Sequence, residues 1–242
     1  MPLSELRPVI VGAPTPEPCL QCNMRGQSVC SAIEDAHLDR LAALALSCDL
    51  PKGRVFIEEG SPATEFFNIT AGTVKLFKLL PDGRQQITGF AGPGYFLGLA
   101  VSTAYAFSAE TLEPVRLCRF ARPRLRLLMQ DFPALEARLL QTACNELASA
   151  QEQMLLLGRK TARERVASFL LGRLEDDAPR AGAAQLRLPM TRGDIGDYLG
   201  LTIETVSRTL SRFKAEGRIV LPSTDMVVVK DLRWLRMQAQ LA

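Results

Sequence analysis

Histidine is all but missing from this sequence: His37 is the only one in 242 residues. One imidazole cannot build a metal site, and His37 is expected at the surface near the start of a helix. Paired carboxylates beside a histidine, a dinucleotide fingerprint and any substrate motif are missing too, so an enzyme is not expected. No apolar run approaches the roughly 18 residues of a membrane span. The first residues, with Pro2, Glu5, Arg7 and Pro8, lack the apolar centre of a signal peptide. These absences point to a soluble cytoplasmic protein that does not engage a membrane. There is no internal repeat.

What is present suffices for a substantial core. The chain is 47% hydrophobic, and its length leaves room for two domains. The net charge of +3 conceals an asymmetry: residues 1–159 hold 15 Lys and Arg against 16 Asp and Glu, whereas residues 160–242 hold 14 against 10. A basic C-terminal part suits a phosphate-rich partner. Six cysteines in a cytoplasmic chain argue for metal or redox chemistry rather than disulfides.

The organising stretch is 133–158. Leu140, Ala143, Leu147, Ala150, Met154 and Leu157 follow at steps of three and four, the seam of one helix packing along another. Asp131 is placed to cap the start, Pro133 to fill the first turn and Gly158 to end it. Such a helix would be about 39 Å long. An ordinary amphipathic helix is the alternative, but alternate alanines favour a dimer seam. Before it, a Pro-rich lead (Pro2, Pro8, Pro14, Pro16, Pro18) runs into Cys19, Cys22 and Cys30 without the composition of a core. A helix is expected over 34–47. Short apolar runs at 55–57, 66–69, 74–79, 86–90 and 115–120, broken by glycines and by Pro81-Asp82-Gly83, then predict a β-barrel or roll. Helical text resumes at Pro123. After the seam come a helix over 161–174, a surface loop at 176–184, and strands at 186–188 and 227–229.

The segment from Met190 to Arg218, MTRGDIGDYLGLTIETVSRTLSRFKAEGR, is the most specific. Thr191 caps a short helix with Ile195 and Leu199 inward. Gly200 breaks it, and Thr202 caps a second helix with Val206, Leu210 and Phe213 on its buried side. Two short helices joined at glycine predict a helix-turn-helix whose second helix enters the DNA major groove. Glu204, Ser207 and Arg208 share its exposed face and suit base edges. Thr191, Arg192, Thr202, Arg212 and Lys214 are candidate backbone contacts.

TRGDIGDYLGLTIETVSR, the LLLGRKTARERVASFL run at 155–170, QITGF at 86–90 and the cysteine arm together make the sequence resemble the bacterial CRP/FNR family of regulators, in its FNR-type branch. The resemblance implies an α+β architecture: a cysteine-rich arm (1–33), a β-roll sensor domain resembling a cyclic-nucleotide-binding jelly roll (34–132), a long dimerisation helix (133–158) and a winged helix-turn-helix (159–242). It implies a homodimer on double-stranded DNA at a palindrome resembling TTGAT-N4-ATCAA, activating or repressing transcription, with Glu204, Ser207 and Arg208 at the base-reading positions. Asp82, Gly83 and Arg84, by position, resemble a surface that touches RNA polymerase.

Cys19, Cys22 and Cys30 form C-x2-C-x7-C, and Cys118 ends the last roll strand. Sequence alone gives three close thiolates. The resemblance implies that Cys118 is the fourth ligand of an oxygen-sensing [4Fe-4S] cluster. The branch usually has five residues where seven separate Cys22 from Cys30, which enlarges a loop. Alternatives remain: a structural zinc, a regulator answering nitric oxide or a haem ligand, or an iron–sulfur redox protein. Cys48 and Cys144 are expected as buried thiols in helices. Gly94-Tyr95-Phe96-Leu97-Gly98 keeps the glycines of a phosphate cassette, but Leu99-Ala100 replaces its glutamate and no arginine follows, so no cyclic nucleotide is expected. In the expected mechanism, the cluster orders the arm and favours docking of the dimer helices, and its loss to oxygen loosens them. Glu146 and Glu152 could then repel across the seam.

Overall fold

The computed structural model describes residues 17–99, 103–176 and 184–240. The proline lead through Pro16, Ala100 of the cassette and residues 177–183 of the expected loop lie outside them. The chain divides into two compact units, residues 1–78 with 88–148 and residues 79–87 with 149–242.

In the first unit a short helix α1 (Glu17–Leu20) leads through two 3-10 turns, Arg25–Gln27 and Val29–Ala32, to α2 (Leu38–Ala42). His37 is exposed ahead of α2, its ring 5.5 Å from that of Phe132. The expected helix over 34–47 stops at Ala42. Leu46–Leu50 is instead strand β1, because its register against the last roll strand buries Cys48 and Leu50. Then come β2 (Val55–Ile57), β3 (Glu65–Ala71), β4 (Val74–Leu79), β5 (Gln85–Ala91), β6 (Phe96–Leu97), β7 (Ser108–Thr111) and β8 (Val115–Ala121). They form two four-stranded sheets, ordered β1-β8-β3-β6 and β2-β7-β4-β5.

Alternation along β3 assigns the two cores. Phe67 and Ile69 enter the space between the sheets with Phe56, Leu76, Ala109 and Leu117. Phe66 points to the other face, where Phe96, Phe120, Leu125, Leu135, Val29 and Ile33 form a second core that holds the arm. Burying strand β3 on both faces explains why its text reads as a continuous apolar run rather than an alternating one.

Helix α3 (Arg122–Asp131) follows, and α4 (Pro133–Arg159) starts one residue later. Asp131 therefore does not cap α4; it ends α3, and its carboxylate pairs with Arg40. Nor does Gly158 end α4. The break comes at Thr161, whose N–H donates to Glu164 Oε2 at 2.7 Å in a capping box that starts the next helix. Cys144 lies exposed on α4, not buried. Cys48 is buried, but in a strand.

The second unit contains α5 (Ala162–Asp176), β9 (Ala184–Arg187), α6 (Arg192–Leu199), α7 (Ile203–Ala215), β10 (Ile219–Ser223), β11 (Met226–Val229) and α8 (Leu232–Gln240). The strands form one antiparallel sheet ordered β10-β11-β9. Phe213 of α7 and Trp234 of α8 meet edge-on at 4.9 Å in its core. Among the described residues no helix is long and apolar enough to cross a membrane.

Candidate functional site

Two regions carry chemistry, one in each unit. In the second, Thr191 accepts from the Asp194 N–H at 3.0 Å while the Thr191 N–H donates to Asp194 Oδ2 at 2.8 Å, a complete capping box. Gly200 then takes φ +62°, the left-handed turn that glycine tolerates. Thr202 accepts from the Thr205 N–H at 3.2 Å and opens α7. Ile195, Leu199, Val206, Leu210 and Phe213 are buried, as the sequence pattern predicts.

Glu204, Ser207 and Arg208 stand exposed on one face of α7. The Glu204 carboxyl accepts from its own backbone N–H and from Thr202, with Arg208 nearby. These contacts hold it below the usual carboxylate range, so it meets a partner as an anion. Lys214 is exposed. The other candidate backbone contacts are already engaged within the chain. Arg192 Nη2 donates to the Thr224 carbonyl at 3.2 Å, and Arg212 Nε to Glu216 at 3.2 Å. The Thr191 and Thr202 hydroxyls serve the caps.

Sequence reasoning missed three residues that hold this turn. A Cβ on Gly196 would lie 2.6 Å from the Leu201 carbonyl oxygen, so only glycine lets the two helices close. Its signal was a glycine inside a helical pattern. Arg165 donates to the carbonyls of Leu199 (2.9 Å), Leu157 (2.7 Å) and Lys160 (2.9 Å), which ties the end of α4 to the turn. Arg163 grips Glu216 at the end of α7 and lies 5.0 Å over the Phe213 ring. Neither arginine is distinguishable in sequence from a solvated charge.

On α4, Leu140, Leu147 and Met154 are 65%, 61% and 64% exposed, and Ala143 and Ala150 are exposed beside them. They make one apolar stripe with no cover from their own chain. Leu157 departs from it: half-buried, its Cδ2 would touch a Cβ at Gly200 at 3.4 Å. Glu146, a candidate for repulsion across the seam, has a partner in its own chain. It accepts from the Tyr95 hydroxyl, and crowding of its carboxyl raises its pKa above the usual range. Glu152 is exposed.

The first unit brings the cysteines together. Of the seven residues between Cys22 and Cys30, Arg25–Gln27 form one 3-10 turn and Val29 opens the second, so the longer spacing is partly wound up. Ser28, buried, accepts from the Cys30 N–H at 3.3 Å; Arg25 donates to the Ile33 carbonyl at 2.8 Å and pairs with Asp35. Cys19, Cys30 and Cys118 all pack against the outer core. Burial, with smaller repulsion from Cys30, Cys19 and Cys22, pushes the Cys118 thiol up to about 12. Burial likewise pushes Cys30 up to about 11, with Cys19 and Cys22 adding to it, and raises Cys19. The Cys118 and Cys30 thiols therefore each lie within electrostatic reach of Cys19 and Cys22. Among the described residues, no three His, Cys, Asp or Glu are set to hold a metal ion. At the roll hairpin, Gly83 takes φ +86° and Arg84 Nε pairs with Asp82 at 2.8 Å, leaving an exposed tip.

Comparison with known proteins agrees with this layout. A family model described as a Crp-like helix-turn-helix domain matches residues 164–237, and one described as a cyclic nucleotide-binding domain matches residues 48–132. The chain is 41% identical over 214 residues to the nitrogen fixation regulation protein FixK of Bradyrhizobium diazoefficiens, covering 88% of this chain and 90% of that one. It is 34% identical over 226 residues to the transcriptional activator protein FnrL of Cereibacter sphaeroides, covering 91% of each. Among solved structures, FixK2 from Bradyrhizobium japonicum superposes with a TM-score of 0.77 at 35% identity, over 82% of this chain and 98% of that one. The chain thus belongs to the CRP/FNR family and is a DNA-binding transcription activator.

Proposed function

We propose that this activator senses oxygen through a [4Fe-4S] cluster held by Cys19, Cys22, Cys30 and Cys118, and that it binds a palindrome resembling TTGAT-N4-ATCAA as a homodimer. The observation that supports the reading is that Cys19, Cys30 and Cys118 pack against one core on the outer face of the roll, with Cys22 three residues after Cys19. The donor set fits the group, since all four ligands are sulfur and no histidine lies among them. Bound there, the cluster supplies oxidisable iron and sulfide. The chain's part is to cover Cys30 and Cys118 partly, to order the 22–30 loop through Arg25 and Ser28, and to release thiol protons as ligation proceeds.

The arm also argues against a cyclic nucleotide. Gln27 lies against Gly94, where a Cβ would meet Gln27 Cβ at 3.4 Å, and Phe56, Phe67 and Tyr105 fill the roll. The uncovered stripe of Leu140, Ala143, Leu147, Ala150 and Met154 supplies the dimer contact, which would set two α7 helices about one DNA turn apart, roughly 34 Å. The tip at Asp82, Gly83 and Arg84 is the surface offered to RNA polymerase.

Iron and acid-labile sulfide, measured per chain after strictly anaerobic purification, test the reading. About four of each are expected. Zinc without sulfide would overturn the cluster and leave the DNA-binding assignment standing.

A further inference from the structure

Across the outer face of the β1-β8-β3-β6 sheet, Ser47, Cys118, Asn68 and Phe96 lie opposite one another. Ser47 and Asn68 flank Cys118 in the register of β1 and β3, and Phe96 follows on β6. Opposed residues in antiparallel strands send their side chains to the same face, with Cβ atoms about 5 Å apart. That face is fixed by its neighbours. Phe66, two residues before Asn68, belongs to the outer core with Phe96 and Phe120, where Cys19, Cys30 and Cys118 also pack. Phe67 and Ile69, on either side of Asn68, point the other way.

Asn68 is 2% exposed, and its amide oxygen has no hydrogen-bond partner. For folding alone, an apolar residue would serve this position better, because a buried amide with an idle end keeps its desolvation cost. Beside it stands a thiol that becomes a thiolate, an acceptor, on ligation. A half-turn about the last side-chain bond presents the amide N–H where the oxygen now lies.

We propose that Asn68 is a positioning residue for the iron–sulfur group, donating its side-chain N–H to the Cys118 sulfur. This rests on the cluster reading above. A donor at a ligating sulfur withdraws negative charge from it, which favours the reduced state and raises the midpoint potential.

Wild type, Asn68→Leu and Asn68→Ala, all purified anaerobically, are compared for iron, sulfide, midpoint potential and melting of the apo form. Leucine keeps the volume; alanine serves should leucine disturb the packing. The expected result is equal iron and sulfide in all three, a lower midpoint potential in both variants, and apo melting of Asn68→Leu at or above the wild type. Equal potentials in fully loaded wild type and variants overturn this inference alone. A wild type without iron and sulfide overturns both the inference and the reading beneath it.

Discussion

Arg165 and Leu199 meet guanidinium to carbonyl at 2.9 Å, which satisfies the end of α6 where Gly200 turns the chain toward α7. The same guanidinium holds the Leu157 and Lys160 carbonyls. One side chain on α5 therefore serves orphan acceptors at two helix ends and the link between α4 and α5.

Arg165→Ala should leave those carbonyls without their donor and loosen the recognition helix. We expect a loss of about 1–3 kcal/mol in stability and a fall in DNA affinity of roughly tenfold or more. Thermal melting and fluorescence anisotropy on the same preparation measure the two. An unchanged affinity would show that α7 is held well enough without this arginine.

Gly196→Ala places a Cβ 2.6 Å from the Leu201 carbonyl oxygen. Overpacking of this kind costs about 1–3 kcal/mol, and here the backbone must give way. The expected outcome is loss of specific DNA binding with the roll's own melting transition retained, read by calorimetry alongside a gel-shift titration.

Substitutions on the DNA face should separate by type. Arg208→Ala should cost about 1–3 kcal/mol on the cognate site and relax preference at the base it reads. Lys214→Ala should weaken all sequences alike and reduce the salt slope by about one. Binding titrated against site variants at several salt concentrations distinguishes them. A Lys214 variant that alters base preference would contradict the phosphate role.

The roll and the reader were both legible in the sequence, for different reasons. Helix caps and turn glycines act locally, so Thr191, Gly200 and Thr202 could be placed from neighbouring residues alone. Strands 55–57 and 74–79 were bounded by the glycines that end them. β1 was missed because Leu46–Leu50 is short and abuts α2; only its pairing with β8 makes it a strand. Gly158 misled because a helix ends where its successor is capped, and that cap lies at Thr161 and Glu164. Arg163 and Arg165 left no local trace, since their hold on Glu216 and on the Leu199 carbonyl spans residues distant in the chain.

Glu146 should make stability depend on pH. Its carboxyl pKa is raised by burial, with the Tyr95 hydrogen bond opposing, so the folded chain binds this proton more tightly than the unfolded chain. The associated stability is full below the unfolded value and lost as pH rises through the raised folded value. Glu146→Gln should therefore be more stable than wild type near neutrality, with the gap closing as the medium turns acidic. Urea melts between about pH 4 and pH 7 would show it. A gap that widens in acid would reverse the assignment.

In the apo protein, Cys30 and Cys118 should alkylate slowly, since burial keeps both protonated at neutral pH. Cys144, exposed on α4, should label first. Mass spectrometry after timed iodoacetamide treatment reads the order, and early labelling of Cys118 would show that the arm does not cover it.

The bare leucines of α4 have a consequence for dosage. In the proposed homodimer, Leu140, Leu147 and Met154 lose their water only when a second chain arrives. Where pairing is scarce, the number of pairs grows with the square of the number of chains, so doubling synthesis gives roughly fourfold more assembled readers. Copy number itself becomes an input, and the gene's own expression level sets how sharply its targets respond.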